Sequence, residues 1–159
     1  MSNKKSQSGF SLIELLAVVA IIGILCAIAV PRLLNSRRAA NEASAISTMR
    51  AINSVEASYQ STIGEGNFAD LSTLVTNRLL DTTFGSSVKS GYQFAATPSA
   101  AGVRPASYFA SAVPAVTDGI SQSGSRRFGV CDDGVLRGDT GMTAFATRDE
   151  VMMTPGLNN

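Results

Sequence analysis

Glu14 is a carboxylate inside an otherwise apolar segment near the amino terminus. The segment from Phe10 to Pro31 has 22 residues, and Glu14 is its single charged side chain. A charged side chain at the centre of a membrane-spanning helix costs roughly 2.5–3.5 kcal/mol on insertion scales, and less near the membrane surface. Ionisable groups in such segments are candidates for function, and a single span offers no partner of its own. We therefore expect Glu14 to pair with a cation on another molecule.

Histidine is absent from the 159 residues, which removes several kinds of site. Catalytic groups of the Ser-His-Asp or Cys-His type and histidine-ligated metals are excluded. Other catalytic chemistries remain open, but this composition disfavours an enzyme, and we predict no catalytic residue, cofactor or metal. Cys26 lies in the apolar segment, so a disulfide with Cys131 is not expected.

The charges of the chain are nearly balanced, with 13 basic and 12 acidic side chains. No general electrostatic field would attract a polyanion, and no nucleic acid partner is expected. Arg126 and Arg127 are interpreted as solvated strand residues. Three carboxylates near the carboxyl terminus lack the spacing of a calcium loop, so turn chemistry is the favoured interpretation and calcium binding stays open. They are Asp132, Asp133 and Asp139.

The apolar segment is long enough to cross a bilayer as a helix, which needs about 20 residues. Lys4 and Lys5 precede it and three arginines follow it, so the distribution of positive charge does not settle its orientation. Two further interpretations are an ordinary membrane anchor and a secretory signal peptide cleaved after Ala29. The second would use Ala27-Ile28-Ala29 as its cleavage site, although the apolar stretch exceeds the usual 7–15 residues.

The sequence GFSLIEL, from Gly9 to Leu15, resembles the processing and assembly motif of type IV pilins and type II secretion pseudopilins. The resemblance covers a leader ending in Gly9, the aromatic Phe10, the position of Glu14, the apolar span and Pro31 after it. It extends over roughly the first third of the chain. Many type IV pilins close a carboxyl-terminal loop with two cysteines, whereas this region has Cys131 alone, so packing alone is expected to hold it.

The resemblance implies a sequence of processing and assembly. A prepilin peptidase, which is also a methyltransferase, would cut between Gly9 and Phe10 and methylate the new amino group of Phe10. Glu14 of an incoming subunit would then pair with the Phe10 amino group of a neighbour and fix their axial register. The implied partners are other pilins in a homo- or hetero-polymer, the peptidase, an inner-membrane assembly platform and the lipid bilayer. The chain would first be a single-pass inner-membrane protein and afterwards part of a periplasmic or extracellular filament.

One long helix, from about Ser11 to about Thr62, must position these residues. Pro31 removes a backbone donor, so we predict a bend there, and Gly23 weakens the helix upstream. After Pro31 the apolar residues recur at spacings of three and four, which predicts an amphipathic helix. Its predicted apolar stripe is Ala40, Ala43, Ile46, Met49, Ile52, Val55, Tyr59 and Ile63, and its predicted polar positions are Arg37, Arg38, Glu42, Arg50, Asn53 and Glu56. The triplet Gly64-Glu65-Gly66 is expected to end it.

The remaining residues predict a small β-rich head. A loop and a short helix with Asp70 near its start are followed by three or four antiparallel strands, the last two joined by a turn at Asp132-Asp133-Gly134. One face of the sheet is expected to lie on the long helix and to bury Phe94, Phe109 and Phe128. The tail from Arg148 to Asn159 is expected to be poorly ordered.

The fold class is therefore α+β, a long amino-terminal helix packed on a small antiparallel sheet. The predicted domains are a leader (1–9), a transmembrane assembly helix (10–31), the amphipathic half of the same helix (32–64) and the head (65–159). The predicted function is that of a structural subunit of a pilus or a secretion pseudopilus, with no choice between the two. The alternative is a secreted binding module or enzyme released by ordinary signal peptidase after Ala29.

Overall fold

The computed structural model describes residues 9–100 and 102–157. The predictions for the leader residues 1–8, including Lys4 and Lys5, lie outside the described residues. The first helix, α1, runs from Leu12 to Ser61 and has 50 residues. After it, the Gly64 amide donates to the Tyr59 carbonyl at 2.8 Å. Glu65 and Gly66 then adopt φ angles of 49° and 85°. The predicted helix and its glycine-rich end are confirmed.

The chain divides into two compact units, Met1–Ser36 and Arg37–Asn159. In the first unit, the described residues form the beginning of α1, and the side chains from Gly9 to Leu33 are all exposed. Pro31 lies inside α1, which is helical on both sides of it. The predicted bend at Gly23 and Pro31 stays a prediction.

The second unit contains a five-stranded antiparallel sheet in the order β1-β2-β3-β4-β5. Its elements beyond α1 are α2 (Leu71–Thr76), a 3-10 helix (Thr82–Ser86), β1 (Val88–Lys89), β2 (Tyr92–Pro98), β3 (Tyr108–Pro114), β4 (Arg127–Cys131), β5 (Leu136–Asp139) and α3 (Arg148–Met153). The predicted antiparallel meander is confirmed, with one strand more than expected. β1 has two residues, which is too short to give an alternating pattern in the sequence.

Local signals in the sequence placed two features of this unit correctly. Asp70 is the N-cap of α2, and its side chain accepts a hydrogen bond from the Thr73 amide at 2.8 Å. The turn between β4 and β5 is centred on Asp132 and Asp133, and Gly134, which follows them, has a φ angle of 72°. Its amide donates to the Cys131 carbonyl at 2.9 Å. Glycine suits this position because it adopts positive φ without a steric cost.

The buried face of α1 differs from the predicted apolar stripe. Met49 and Ile52 are fully buried as expected, and Ile46, Val55 and Tyr59 are partly buried. Ala40, Ala43 and Ile63 are exposed, so their assignment to the buried stripe was wrong. Two predicted polar positions, Glu42 and Glu56, are buried with Ala45 and Thr48. The buried face thus includes two acidic positions, of which Glu42 is satisfied by groups more than 80 residues away along the chain.

Phe109 lies on the side of the sheet opposite the main core, so its predicted place against the long helix was wrong. Phe94 and Phe128 are buried in the main core with Met49 and Ile52, as predicted. Side chains alternate between the two faces of a strand, and Tyr108 already occupies the helix side. Phe109 instead packs on a second cluster formed by Cys131, Phe145 and Val151.

The carboxyl-terminal segment is ordered, which contradicts the prediction for Arg148–Asn159 over its described residues. Thr147 caps α3 by accepting from the Glu150 amide, and Val151 is fully buried. After α3, the Leu157 amide donates to the Leu136 carbonyl at 2.9 Å. This segment therefore covers the open edge of β5, which would otherwise expose unpaired backbone groups.

Candidate functional site

Glu14 caps the helix to which it belongs. Its Oε2 accepts a hydrogen bond from the Ser11 amide at 2.9 Å, while the Ser11 carbonyl accepts from the Leu15 amide at 3.2 Å. Ser11 and Glu14 thus have the spacing of a capping box, in which the third helical residue satisfies the amide of the residue that precedes the helix. The sequence carries the signal for this cap as Ser-x-x-Glu, from Ser11 to Glu14.

The predicted cleavage junction, Gly9-Phe10, lies just before this cap. Neither residue is helical, and Phe10 is 82% exposed. A Cβ atom added to Gly9 would meet nothing within 4 Å. Among the described residues, none obstructs the backbone at this junction, so these residues leave it open to another protein.

The helix that follows the cap presents apolar side chains all around its circumference. The large exposed ones in the first unit are Leu12, Ile13, Leu15, Leu16, Val18, Val19, Ile21, Ile22, Ile24, Leu25, Ile28, Val30 and Leu33. A surface of this kind is far larger than the apolar patches of soluble monomers and marks contact with protein or membrane. This helix is long and apolar enough to cross a membrane. The second unit has its own core of buried side chains and does not share this character.

The predicted site residues do not form one cluster. Glu14 and the Gly9-Phe10 junction are close neighbours along the chain, and the cap connects them through Ser11. Gly23 and Pro31 lie further along α1, with Pro31 about 25 Å from Glu14 at 1.5 Å per residue. Any role of these two positions is therefore separate from the chemistry at the amino terminus.

Glu42 fastens the second unit's half of α1 to the segment before β4. Its carboxylate accepts from the Ser125 amide at 2.8 Å and the Ser125 hydroxyl at 2.6 Å. The Arg126 guanidinium adds a hydrogen bond at 3.0 Å and an ion pair at 2.9 Å. Burial alone would raise the pKa of Glu42, but the hydrogen bonds from Ser125 and Arg126 outweigh it and lower the pKa. Arg126 is thus paired with Glu42, while 40% of its side chain stays exposed as expected.

Arg127 is buried and holds the carboxyl-terminal segment onto β4. Its guanidinium pairs with Asp139 through two hydrogen bonds of 2.7 and 3.0 Å. It also reaches Glu150 at 2.9 Å and the Thr143 carbonyl at 3.0 Å. Its carbon Cζ lies 3.9 Å from the centre of the Phe145 ring. The expectation that Arg127 is a solvated strand residue was therefore wrong.

The other two carboxylates considered for calcium are also paired with arginines. Asp132 accepts from Arg148 at 2.6 and 3.0 Å. Asp133 accepts from Arg137 at 3.1 and 2.6 Å. Cys26 and Cys131 are both free thiols. The carboxyl-terminal loop is therefore held by ion pairs as well as by packing, which corrects the expectation that packing alone would hold it.

Comparison with known proteins points to one family. Residues 4–30 match the model of the prokaryotic N-terminal methylation motif. The chain is also 39% identical over 49 residues to the type II secretion system core protein G of Aeromonas hydrophila. That match spans 31% of this chain and 34% of the relative. No solved structure matches the chain significantly.

These matches, together with the fold, support the predicted relationship to the pilin and pseudopilin family. The long apolar helix followed by a small antiparallel sheet is a pilin-like α+β arrangement. The helix and the motif together indicate membrane anchoring before assembly. The likeness to this relative is confined to 49 residues, so about two thirds of the chain is not covered by it.

Proposed function

We propose that this chain is the structural subunit of a pilus or of a secretion pseudopilus, and not an enzyme. The observation that carries the proposal is Glu14, a carboxylate one turn inside a helix whose other side chains are apolar and exposed. The relative in Aeromonas hydrophila is named for a type II secretion system, which favours a pseudopilus. However, the motif matched at residues 4–30 would be shared by both kinds of filament, so both remain within the proposal.

Processing is proposed to occur at the exposed Gly9-Phe10 junction. A prepilin peptidase in the inner membrane would cut this bond, and its methyltransferase activity would modify the new amino group of Phe10. Gly9 offers no side chain to obstruct the approach of the enzyme to the backbone. The N-methylated amine remains a cation at neutral pH, so the mature chain carries a positive charge four residues from Glu14.

Assembly is proposed to exchange the partner of Glu14. In the isolated chain, its carboxylate accepts the Ser11 amide of its own helix. In the filament, an assembly platform would bring it next to the Phe10 ammonium of a neighbouring subunit. A charged pair in an apolar interior is stronger than in water, although desolvation of both groups offsets much of the gain. The pair therefore serves mainly to set the axial register of subunits.

Two substitutions separate this ion pair from the helix cap. Glu14→Gln keeps an oxygen that accepts from Ser11 but removes the charge, since glutamine also serves in a capping box. Glu14→Ala removes both. Each variant is expressed as the sole copy in cells that assemble the filament, with Asp118→Ala, an exposed carboxylate of the head, as the matched control.

Both Glu14 variants should insert in the membrane and be processed normally, because neither changes the scissile bond. Neither should appear in filaments sheared from cells, since the neighbour's ammonium would be buried without a carboxylate, at a cost of about 3–5 kcal/mol. Asp118→Ala should assemble normally. Abundant filaments of Glu14→Gln, with none of Glu14→Ala, would show that the cap is what matters and would overturn the proposed intersubunit pair.

A further inference from the structure

Glu56 is a fully buried carboxylate with an incomplete set of partners. It lies on the buried face of α1, and its exposed fraction is 0%. Its Oε2 accepts from the Ala69 amide at 3.1 Å. Its Oε1 has no hydrogen-bond partner among the described residues. A buried polar atom of this kind is uncommon in folded proteins and calls for an explanation.

The groups around Glu56 do not supply a compensating charge. Asp70, at the start of α2, places a second negative charge nearby. From the sheet, Tyr108 interacts with Glu56, but its hydroxyl donates to Asn53 at 2.6 Å. No arginine or lysine of the described ion pairs reaches Glu56. Ionisation here would leave a charge buried and unpaired, which is costly.

We propose that Glu56 is a pH-responsive latch between α1 and segment 64–70, closed when the carboxyl group carries a proton and loosened when it ionises. In the protonated group Oε2 still accepts from the Ala69 amide, and the hydroxyl on Oε1 is neutral, so its lack of a partner costs less than a buried charge would. The ionised group must be hydrated, and water can reach it only if segment 64–70 separates from α1. The latch is a property of the folded head, and it goes beyond the proposed role in filaments.

The latch should respond near neutral pH. Burial raises the pKa of Glu56 to about 7, Asp70 adds to the rise, and the Ala69 amide opposes it. In the unfolded chain the group has its ordinary value of 4.5. The folded state therefore holds this proton more tightly, so the stability that Glu56 contributes is fully present below pH 4.5 and is lost as pH rises through about 7.

The composition makes this titration easy to isolate. The chain has no histidine, the side chain that ordinarily changes charge between pH 5 and 8. Burial raises the pKa of Cys131 to about 11, which takes that thiol out of the range. Whether a change in stability near pH 7 depends on the carboxyl group of Glu56 can therefore be tested directly.

The experiment uses the full chain in detergent micelles. Glutamate side-chain carboxyl carbons are labelled with carbon-13 and titrated by NMR from pH 4 to 9. Thermal unfolding is followed at pH 5.5 and pH 8.5. Glu56→Gln replaces the acid by a neutral group of the same shape. Glu65→Gln, an exposed glutamate in the same segment, is the matched control.

One glutamate resonance of the wild type should titrate with a midpoint near 7 and disappear in Glu56→Gln. The wild type and Glu65→Gln should each lose at least about 5 °C in Tm between pH 5.5 and 8.5. Glu56→Gln should show no such loss. A Glu56 midpoint between 4 and 5 overturns the latch even if Glu56→Gln does not fold, and so does an equal loss of Tm in Glu56→Gln.

Discussion

Three glutamates on α1 meet three different environments. Glu14 is exposed and accepts the Ser11 amide of its own helix. Glu42 is buried but receives the Ser125 hydroxyl and the Arg126 guanidinium. Glu56 is buried with one oxygen unpartnered. The same type of side chain is thus proposed for assembly at Glu14 and for titration at Glu56, while at Glu42 it is a structural anchor, and the neighbours in space make the difference.

Arg127 shows the same dependence on environment for a basic residue. Hydrogen bonds from its guanidinium to Asp139 lower the pKa of that carboxyl and raise the pKa of Arg127, while burial acts in the opposite direction on both. Glu150 adds a second negative partner from α3. Arg127 thereby joins β4, β5 and α3 through one side chain, in a region without a disulfide among its described residues.

Replacing Arg127 by methionine tests this arrangement. Arg127→Met should lower the free energy of unfolding by about 2 kcal/mol, because two carboxylates lose their partner while remaining partly solvated. Arg148→Met is the matched control, since its pair with Asp132 is more exposed and should contribute less than about 1 kcal/mol. Urea unfolding of the full chain in micelles, followed by circular dichroism, measures both. Equal losses for the two variants would contradict a special role for Arg127.

At the scale of elements, α1 could be predicted from the sequence within a residue at each end. Its apolar span, its spacing of three and four, and its glycine-rich end are all local signals. The prediction of the buried face of α1 was less accurate, because Glu42 is satisfied by Ser125 and Arg126, more than 80 residues away along the chain. Partners at such a distance leave no mark on the periodicity of the helix itself.

The sequence did not indicate that the second face of the sheet is also covered, for a related reason. β4 is buried along its whole length, but Arg127 and Gly129 interrupt the continuous apolar run that would indicate two covered faces. The element that covers the far face is α3, which has six residues and no long apolar pattern. Gly129 lies beneath it: a Cβ added there would be 2.8 Å from Val151 and 2.9 Å from Phe145.

Gly129→Ala therefore tests the packing of α3 on the sheet. The added methyl group should push α3 away and reduce the free energy of unfolding by about 1–3 kcal/mol. Val151→Ala alone should also destabilise, because it leaves a cavity. The double variant should lose less than the sum of the two, since the smaller alanine makes room for the new methyl group. Strict additivity in urea unfolding would show that α3 does not pack on Gly129.

At the scale of the whole molecule, two kinds of surface follow each other along the chain. Residues up to Ser36 offer an apolar helix whose described side chains have no core of their own. Residues from Arg37 onward bury a core between α1 and the sheet, with polar groups on the outside. A molecule of this kind is expected to need lipid or other subunits around the first unit while the second stays folded in water.

The proposed amino-terminal site rests on local sequence more than the head does. Gly9, Phe10 and Glu14 fall within six consecutive residues, so their relationship depends on the chain itself and not on the tertiary fold. The ion pairs of Arg127 and the burial of Glu56 depend on contacts between distant segments. Such contacts cannot be derived from composition or spacing, because they depend on how the sheet and α3 pack.

The mass of the mature amino-terminal peptide tests the central claim most directly. The chain is purified from its native membranes or filaments, digested, and sequenced by tandem mass spectrometry. A filament subunit processed at the proposed junction should begin with N-methylated Phe10. This residue is about 14 mass units heavier than unmodified Phe, because methylation adds a CH₂ group. A mature chain that begins at Val30 would show cleavage by ordinary signal peptidase after Ala29, and would contradict the account.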